Sequence, residues 1–280
     1  MSLAFTKMQG LGNDFVVLEA LRQPCPMDPS RVRAIADRRR GVGCDQVLLA
    51  EPATRPEADF GYRIWNADGS EVEHCGNGVR CMARFLMDQG LVDQRPVTLE
   101  TRDGRLTRVV PAEDGTMQVD MGAPILEPAS IPFHADHRAL SYPLTVNDRA
   151  VEAMVVSMGN PHAVIRVDEV SRAPVATLGP ALENHAAFPN RVNVGFMEVV
   201  AADHLRLRVF ERGAGETPGC GTGACAAVVA GRLNGWLDPR VSVSLTGGEL
   251  VIHWQGEGHP VWMTGPAETV FEGSLVTDHP

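Results

Sequence analysis

Two cysteines open two copies of one motif, Cys75-Gly76-Asn77-Gly78 and Cys220-Gly221-Thr222-Gly223, and an apolar helical stretch follows each. A thiol just before a helix lies in the field of the unpaired N–H groups of the first turn, which favours thiolate. The glycines let backbone approach a ligand, so the same N–H groups can hold a carboxylate. Each motif thus offers an acid–base group and an anion clamp. Two of them gripping one α-carboxylate would set a thiol on each face of the adjoining α-carbon. That arrangement inverts a stereocentre: one thiolate removes the α-proton and the opposite thiol returns one. A competing chemistry is a nucleophilic cysteine with His74 or His162 as base, which leaves the second cysteine without a role. The plainest alternative is that both motifs are only tight helix entries.

The motif is one of four stations that recur at an offset of 145 to 147 residues. Gly12-Asn13 returns as Gly159-Asn160, Gln46-Val47 as Asn193-Val194, and Arg63-Ile64-Trp65-Asn66 as Arg208-Val209-Phe210-Glu211. Four matches in one order point to duplication of about half the chain. The neutral amides Asn13, Gln46, Asn66, Asn160 and Asn193 then group around a pseudo-twofold axis as candidate ligands, although each alone reads as a turn residue. Where the first copy has Asn66-Ala67 the second has Glu211-Arg212. This acid and base suit the ammonium and carboxylate of a distal amino acid head, Arg212 bidentately.

The elements that position these groups read as an α/β chain of the α+β type. Two pseudo-symmetric domains are expected, each a curved, mostly antiparallel sheet or barrel wrapped around a central helix. Strands are predicted at 15–18, 47–50, 62–65, 97–100 and 117–120, and again at 163–167, 205–209 and 241–245, from β-rich or alternating runs bounded by turn residues. The central helices are expected near Val79 to Gln89 and Ala224 to Asn234, ending at Gly90 and Gly235. Residues 1–122, completed by 266–280, form one expected domain and 123–265 the other. The chain is expected to cross between them at Pro124 to Pro132, with the active site in the cleft between the domains.

Composition narrows the ligand. A formal charge of −10 and a pI near 5.4 argue against a nucleic-acid or anionic-membrane surface, so a small molecule is expected. No basic leader or membrane-length apolar run is present, and the expected location is the cytoplasm. In that reducing setting the six cysteines form no disulfide framework, and their spacing matches no zinc knuckle. Cys25, Cys44, Cys81 and Cys225 read as buried fillers. Lys7 is the only lysine, at the extreme N-terminus, which disfavours a pyridoxal Schiff base. No cofactor and no metal are expected.

These motifs together resemble the diaminopimelate epimerases over nearly the whole chain. The resemblance rests on Met8 to Phe15, Asn66 to Val72, Gly159-Asn160-Pro161-His162, Arg191 to Val194, Glu211-Arg212-Gly213, and both cysteine motifs. It implies cofactor-independent conversion of LL-2,6-diaminopimelate to the meso form, for lysine and peptidoglycan precursor synthesis. Cys75 and Cys220 would be the acid–base pair, with His162 and Glu211 influencing activity. The backbone at Gly76, Asn77, Gly221 and Thr222 would hold the reacting carboxylate. Asn13, Gln46, Asn66, Asn160, Asn193, Glu211 and Arg212 would bind the remainder. A homodimer is implied, with Phe271 at a dimer contact where the family has tyrosine. Racemases of the proline and hydroxyproline type share the implied fold, and a non-catalytic diamino acid binder is the alternative outside enzymology.

Overall fold

A computed structural model describes residues 2–72 and 75–276. The chain divides into two compact units, residues 1–119 with 264–280 and residues 120–263. The first unit begins with β1 (Ser2–Gly10), β2 (Asn13–Glu19), α1 (Pro29–Ala36), β3 (Gln46–Pro52), β4 (Phe60–Asn66), β5 (Glu71–Val72), α2 (Gly76–Asp88), β6 (Val97–Thr101), β7 (Leu106–Pro111) and β8 (Met117–Asp120). The second holds β9 (Tyr142–Val146), β10 (Arg149–Ser157), β11 (Pro161–Arg166), α3 (Val175–Glu183), β12 (Asn193–Ala201), β13 (His204–Glu211), β14 (Gly215–Thr217), α4 (Gly221–Leu233), β15 (Arg240–Leu245), β16 (Gly248–Trp254) and β17 (Val261–Gly265). The last strand, β18 (Glu268–Val276), pairs antiparallel with β1 in the first unit.

The duplication is visible strand by strand. From β1 onward, neighbouring pairs run antiparallel, parallel, antiparallel, antiparallel to the short β5, parallel to β6, and antiparallel to β7. From β10 onward, the second unit repeats this order through β11, β12, β13, the short β14, β15 and β16. Registers agree as well: Val47 opposes Trp65 in one unit, and Val194 opposes Phe210 in the other. The two units are therefore copies of one α+β fold.

Each sheet carries a helix on both faces, and this explains why β2 reads as an unbroken apolar run. Phe15, Val16, Val17 and Leu18 are all fully buried, because α2 covers one face and the α1 layer the other. α2 and α4 are the central helices; Val79, Cys81, Met82, Ala83 and Leu86 of α2 are fully buried, as is nearly all of α4. Burial on all sides accounts for the small, apolar make-up of α4. No helix among the described residues is long and apolar enough to cross a membrane.

The central helices begin three residues earlier than their apolar pattern suggests, at Gly76 and Gly221, directly after the cysteines. Glycine costs about 1 kcal/mol in a helix relative to alanine, so local preference alone discounts the first turn. Packing requires it: a Cβ at Gly78 would lie 2.5 Å from the Tyr62 hydroxyl, and one at Gly221 would lie 2.8 Å from Met263 Sδ.

Two further helices, α1 and α3, cover the outer faces, and α3 bears on the site because it carries Glu183. It packs against β13 so closely that a Cβ at Gly179 would lie 2.6 Å from Cγ of Phe210. A ring within a packed core yields little. Gly179→Ala is expected to cost about 1–3 kcal/mol, read as a lower urea midpoint with unchanged slope.

Candidate active site

In the first unit the sheet ends and the start of α2 bring four expected residues together. Cys75 is the N-cap of α2, in extended conformation, and its Sγ accepts the Gly78 N–H at 3.4 Å. The Cys75 thiol donates to Oδ1 of Asn13, at the start of β2, over 3.7 Å. Gln46 and Asn66 are register partners on β3 and β4, and Gln46 Nε2 donates to Asn66 Oδ1 at 2.9 Å. Asn66 Nδ2 continues to Ser70 Oγ at 3.2 Å, while Gln46 Oε1 is buried without a partner. Gly76 and Asn77 supply first-turn N–H groups, which have no intrahelical acceptor. The Asn77 side chain is turned away, its Oδ1 accepting from Arg80 Nη2 at 2.9 Å.

Asn13 owes its orientation to a network that motif reading passes over. Its Nδ2 donates to Asp45 Oδ2 at 2.9 Å, and a carboxylate only accepts, so the amide oxygen must face Cys75. Arg38 bridges Asp45 at 2.8 Å and Asp14 at 2.7 Å, and the half-buried Asp14 also pairs with Lys7 at 2.5 Å. Although burial opposes it, hydrogen bonds from Arg38 and Lys7 hold the Asp14 carboxyl well below the usual range. A sequence signal existed in the buried sole lysine: a lysine among apolar β1 residues needs an acid partner.

The second unit assembles its counterpart differently. Cys220 is the N-cap of α4, buried, with its Sγ 3.5 Å from Thr222 Oγ1. Asn160 Nδ2 reaches the same hydroxyl at 3.4 Å, and Asn160 Oδ1 lies 3.1 Å from Nε2 of the buried His162. Where Asn13 turns its oxygen to the cysteine, Asn160 turns its NH₂ group to the threonine hydroxyl that itself contacts Cys220. Glu211, at the end of β13, accepts from Thr217 Oγ1 at 2.5 Å and lies beside the Cys220 thiol. Asn193 spends both ends of its amide on backbone: Nδ2 on Pro161 O at 3.0 Å, and Oδ1 on the Arg212 N–H at 3.0 Å. Glu183 of α3 accepts from Gly213 N at 2.7 Å and from Arg191 at 3.1 Å. Asn193 and Glu183 thus fix the turn that presents Arg212, whose exposed guanidinium gives one bond to Asn190 O at 3.0 Å.

Electrostatics correct one expectation. The start of α4 does not make Cys220 a ready thiolate; burial, then the neighbouring Glu211 carboxylate, push its thiol well above the usual value. The hydrogen bond from Thr222 and the Gly223 N–H act the other way and do not prevail. Cys220 therefore carries its proton, ready to be given. His162 is driven down to about 3 by burial, then by Arg212, so its ring is neutral at ordinary pH and serves to orient Asn160. Since the unfolded ring titrates near 6.5, the unfolded chain binds a proton that the folded chain refuses between about 6.5 and 3. Stability must fall as pH drops through that window. Urea midpoints at pH 7.5 and 5.0 should differ less in His162→Gln than in the parent chain.

The histidine-base reading fares poorly in the described residues: His162 pairs with Asn160 through Nε2, and its Nδ1 is buried without a partner. His74 lies outside the described residues. Among the latter, no group of three or more His, Cys, Asp or Glu side chains converges to hold a metal ion. Cys25, Cys44, Cys81 and Cys225 are buried and unbridged, as fillers should be.

The family model described as diaminopimelate epimerase matches residues 5–127 and 154–270, one stretch in each copy of the repeat. The chain belongs to the diaminopimelate epimerase family. The diaminopimelate epimerase of Alkalilimnicola ehrlichii is 64% identical over 280 residues, covering 99% of this chain and 100% of its own. That of Halorhodospira halophila is 62% identical over 98% of this chain and 95% of its own. A hydroxyproline epimerase from Agrobacterium vitis, crystallised with trans-4-hydroxy-L-proline, shares the fold with a TM-score of 0.71 at 19% identity, over 100% of this chain and 94% of its own.

Proposed function

We propose that this chain is an epimerase that converts LL-2,6-diaminopimelate to meso-diaminopimelate by a two-base mechanism, without metal or pyridoxal phosphate. The observation that carries the proposal is the recurrence, in the same register of both copies, of a cysteine at the N-cap of a buried central helix. A family of diaminopimelate epimerases supplies the substrate, and the duplicated thiol supplies the chemistry. Cys75 and Cys220 work on opposite faces of one α-carbon, one as thiolate and the other as thiol, and exchange roles between the two directions. A thiolate is a competent base here only if the carbanion is stabilised as it forms. The first-turn N–H groups at Gly76, Asn77, Gly221 and Thr222 do this by holding the α-carboxylate where charge accumulates. Asn13 and Asn160 flank the reacting carbon. Gln46, Asn66, Asn193, Glu211 and Arg212 bind or shape the pocket for the second amino acid head, with Glu211 facing the ammonium and Arg212 the carboxylate.

Independence from pyridoxal phosphate is supported by the sole lysine, which is buried and committed to Asp14 and the carbonyl of Gly43. Work in the cytoplasm suits a chain with six cysteines and no disulfide among the described residues. The homodimer suits β18, where Val270 and Phe271 are exposed; Phe271 has edge contact with Phe5 and has no hydroxyl to offer a partner. The direct test is incubation with LL-diaminopimelate after dialysis against chelator and hydroxylamine. Formation of the meso isomer at an undiminished rate supports the proposal. Conversion of hydroxyproline but not diaminopimelate, or dependence on an added metal or pyridoxal phosphate, overturns it.

A further inference from the structure

Tyr62 carries a buried hydroxyl that the scheme so far leaves idle. It lies on β4 with 1% of its surface exposed, and its hydroxyl has no hydrogen-bond partner among the described residues. Stranding a buried hydroxyl costs stability, and phenylalanine would fill the same volume without that cost. The place it occupies is specific. The hydroxyl fills the space that a Cβ of Gly78 would need, and Gly78 is the residue whose N–H donates to Cys75 Sγ. Cys75 Cβ borders the same space, 3.4 Å from that position. The second unit lacks the group: since Val47–Trp65 corresponds to Val194–Phe210 in register, Tyr62 corresponds to Leu207, also buried.

Cys75 alternates between thiol and thiolate in a two-base reaction, and its surroundings must serve both forms. As a thiol it donates to Asn13 Oδ1. As a thiolate it has no proton to offer, the Asn13 oxygen becomes a poor neighbour, and the Gly78 N–H is a compensating donor that a further one would reinforce. An O–H held dry and unengaged beside that N–H is the donor the thiolate needs. We propose that Tyr62 is a positioning residue for Cys75, whose buried hydroxyl turns its proton toward the sulfur when Cys75 is ionised and so stabilises the thiolate. The hydroxyl donates a hydrogen bond and keeps its proton, and no bond is broken. The two cysteines are then unequal by construction: Cys220 is kept proton-bearing by burial and Glu211, whereas Cys75 has a buried hydroxyl to serve its thiolate.

The inference rests on the acid–base role proposed for Cys75, and its test makes no use of substrate. The full-length chain and its Tyr62→Phe variant are alkylated with iodoacetamide across pH 6–10, and the Cys75 and Cys220 peptides are quantified separately by mass spectrometry. The midpoint of Cys75 alkylation is expected to rise by about one pH unit in Tyr62→Phe, with tenfold slower alkylation below it, while the Cys220 profile stays in place. Thermal melting is expected at or above that of the parent chain, because a stranded hydroxyl has been removed. A Cys75 midpoint that is unchanged or lowered overturns the inference and returns Tyr62 to the core. Failure to epimerise diaminopimelate would instead count against the function proposed above and would leave this titration readable.

Discussion

Cys75→Ala and Cys220→Ala are each expected to lower the rate of inversion by about 10⁴-fold or more while leaving the fold intact. In the proposed scheme each thiol is an acid or base in a proton transfer, a role that contributes about 10²–10⁴-fold in enzymes generally. Here no described side chain stands ready to replace either one. Beside Cys75, Asn13 is a neutral amide committed to Asp45; beside Cys220, Thr222 is a hydroxyl too weak in either sense. Glu211 is a base, but it is bonded to Thr217 and adjoins Cys220 without taking its place. Alanine in place of either cysteine removes one sulfur at the start of a helix whose core face lies beyond it, and with it one first-turn N–H contact, from Gly78 at Cys75 and from Gly223 at Cys220. The measurement is initial rate in both directions together with a urea titration. Loss of rate far beyond what a small drop in the midpoint could explain is the expected pair of results, and a loss of less than tenfold in either variant would contradict the assignment.

Glu211→Gln is expected to slow turnover by on the order of 10²-fold, to raise KM, and to move the alkaline limit of activity to lower pH. The sign follows from the causes of the Cys220 shift. Burial raises the thiol first, and the Glu211 carboxylate adds to it, so removing that negative charge lets the thiol ionise at lower pH. When Cys220 must donate a proton, its thiolate form is inactive, and the pH at which it ionises marks the upper end of the useful range. KM rises because Glu211 is also the acid proposed to meet the substrate's ammonium. Gln keeps a carbonyl oxygen for the Thr217 hydroxyl, so the change reads charge more than shape. An alkaline limit that stays in place, with KM unaltered, would mean that Glu211 acts only as a structural partner of Thr217.

Much of the site was legible because duplication writes it twice. Cys75 and Cys220 sit at the same point of a repeated motif, and their apolar followers form α2 and α4. Local patterns stopped short where glycine carried a tertiary constraint, as at Gly78, whose absent side chain makes room for Tyr62. α3 was hidden by Pro180, a residue that normally breaks a helix and here lies inside one. α1 gave a usable signal that periodicity missed: Asp28 caps it and Pro29 opens it, the arrangement favoured at a helix start. The hairpin between β9 and β10 was likewise announced by Asn147-Asp148, both with positive φ. The pairing of β18 with β1 joins Ser2 to Val276 and Gln9 to Glu268, residues almost the whole chain apart, which no local window contains.

Polarity was legible by residue type and not by direction. Asn13 and Asn160 are equivalent in sequence, yet Asp45 orients one and His162 and Thr222 the other, so Asn13 meets its cysteine directly through Oδ1 while Asn160 gives its NH₂ group to Thr222. Asn193 looks equally like a ligand and is consumed by backbone. The direction of the Cys220 shift was likewise beyond a motif, because the helix-start field is local whereas burial and Glu211 arrive through the tertiary fold.

The central claim, inversion by two opposed thiols, is tested most directly by following LL-diaminopimelate in D₂O by proton NMR and mass spectrometry over the first turnovers. A thiol that has exchanged with solvent delivers deuterium from the face opposite to the one that lost protium. The account therefore predicts that newly formed meso product carries one α-deuterium while the recovered LL substrate still carries protium. Protium retained at the inverted centre, or deuterium entering the substrate as fast as the product, would show a single base working on both faces and would contradict it.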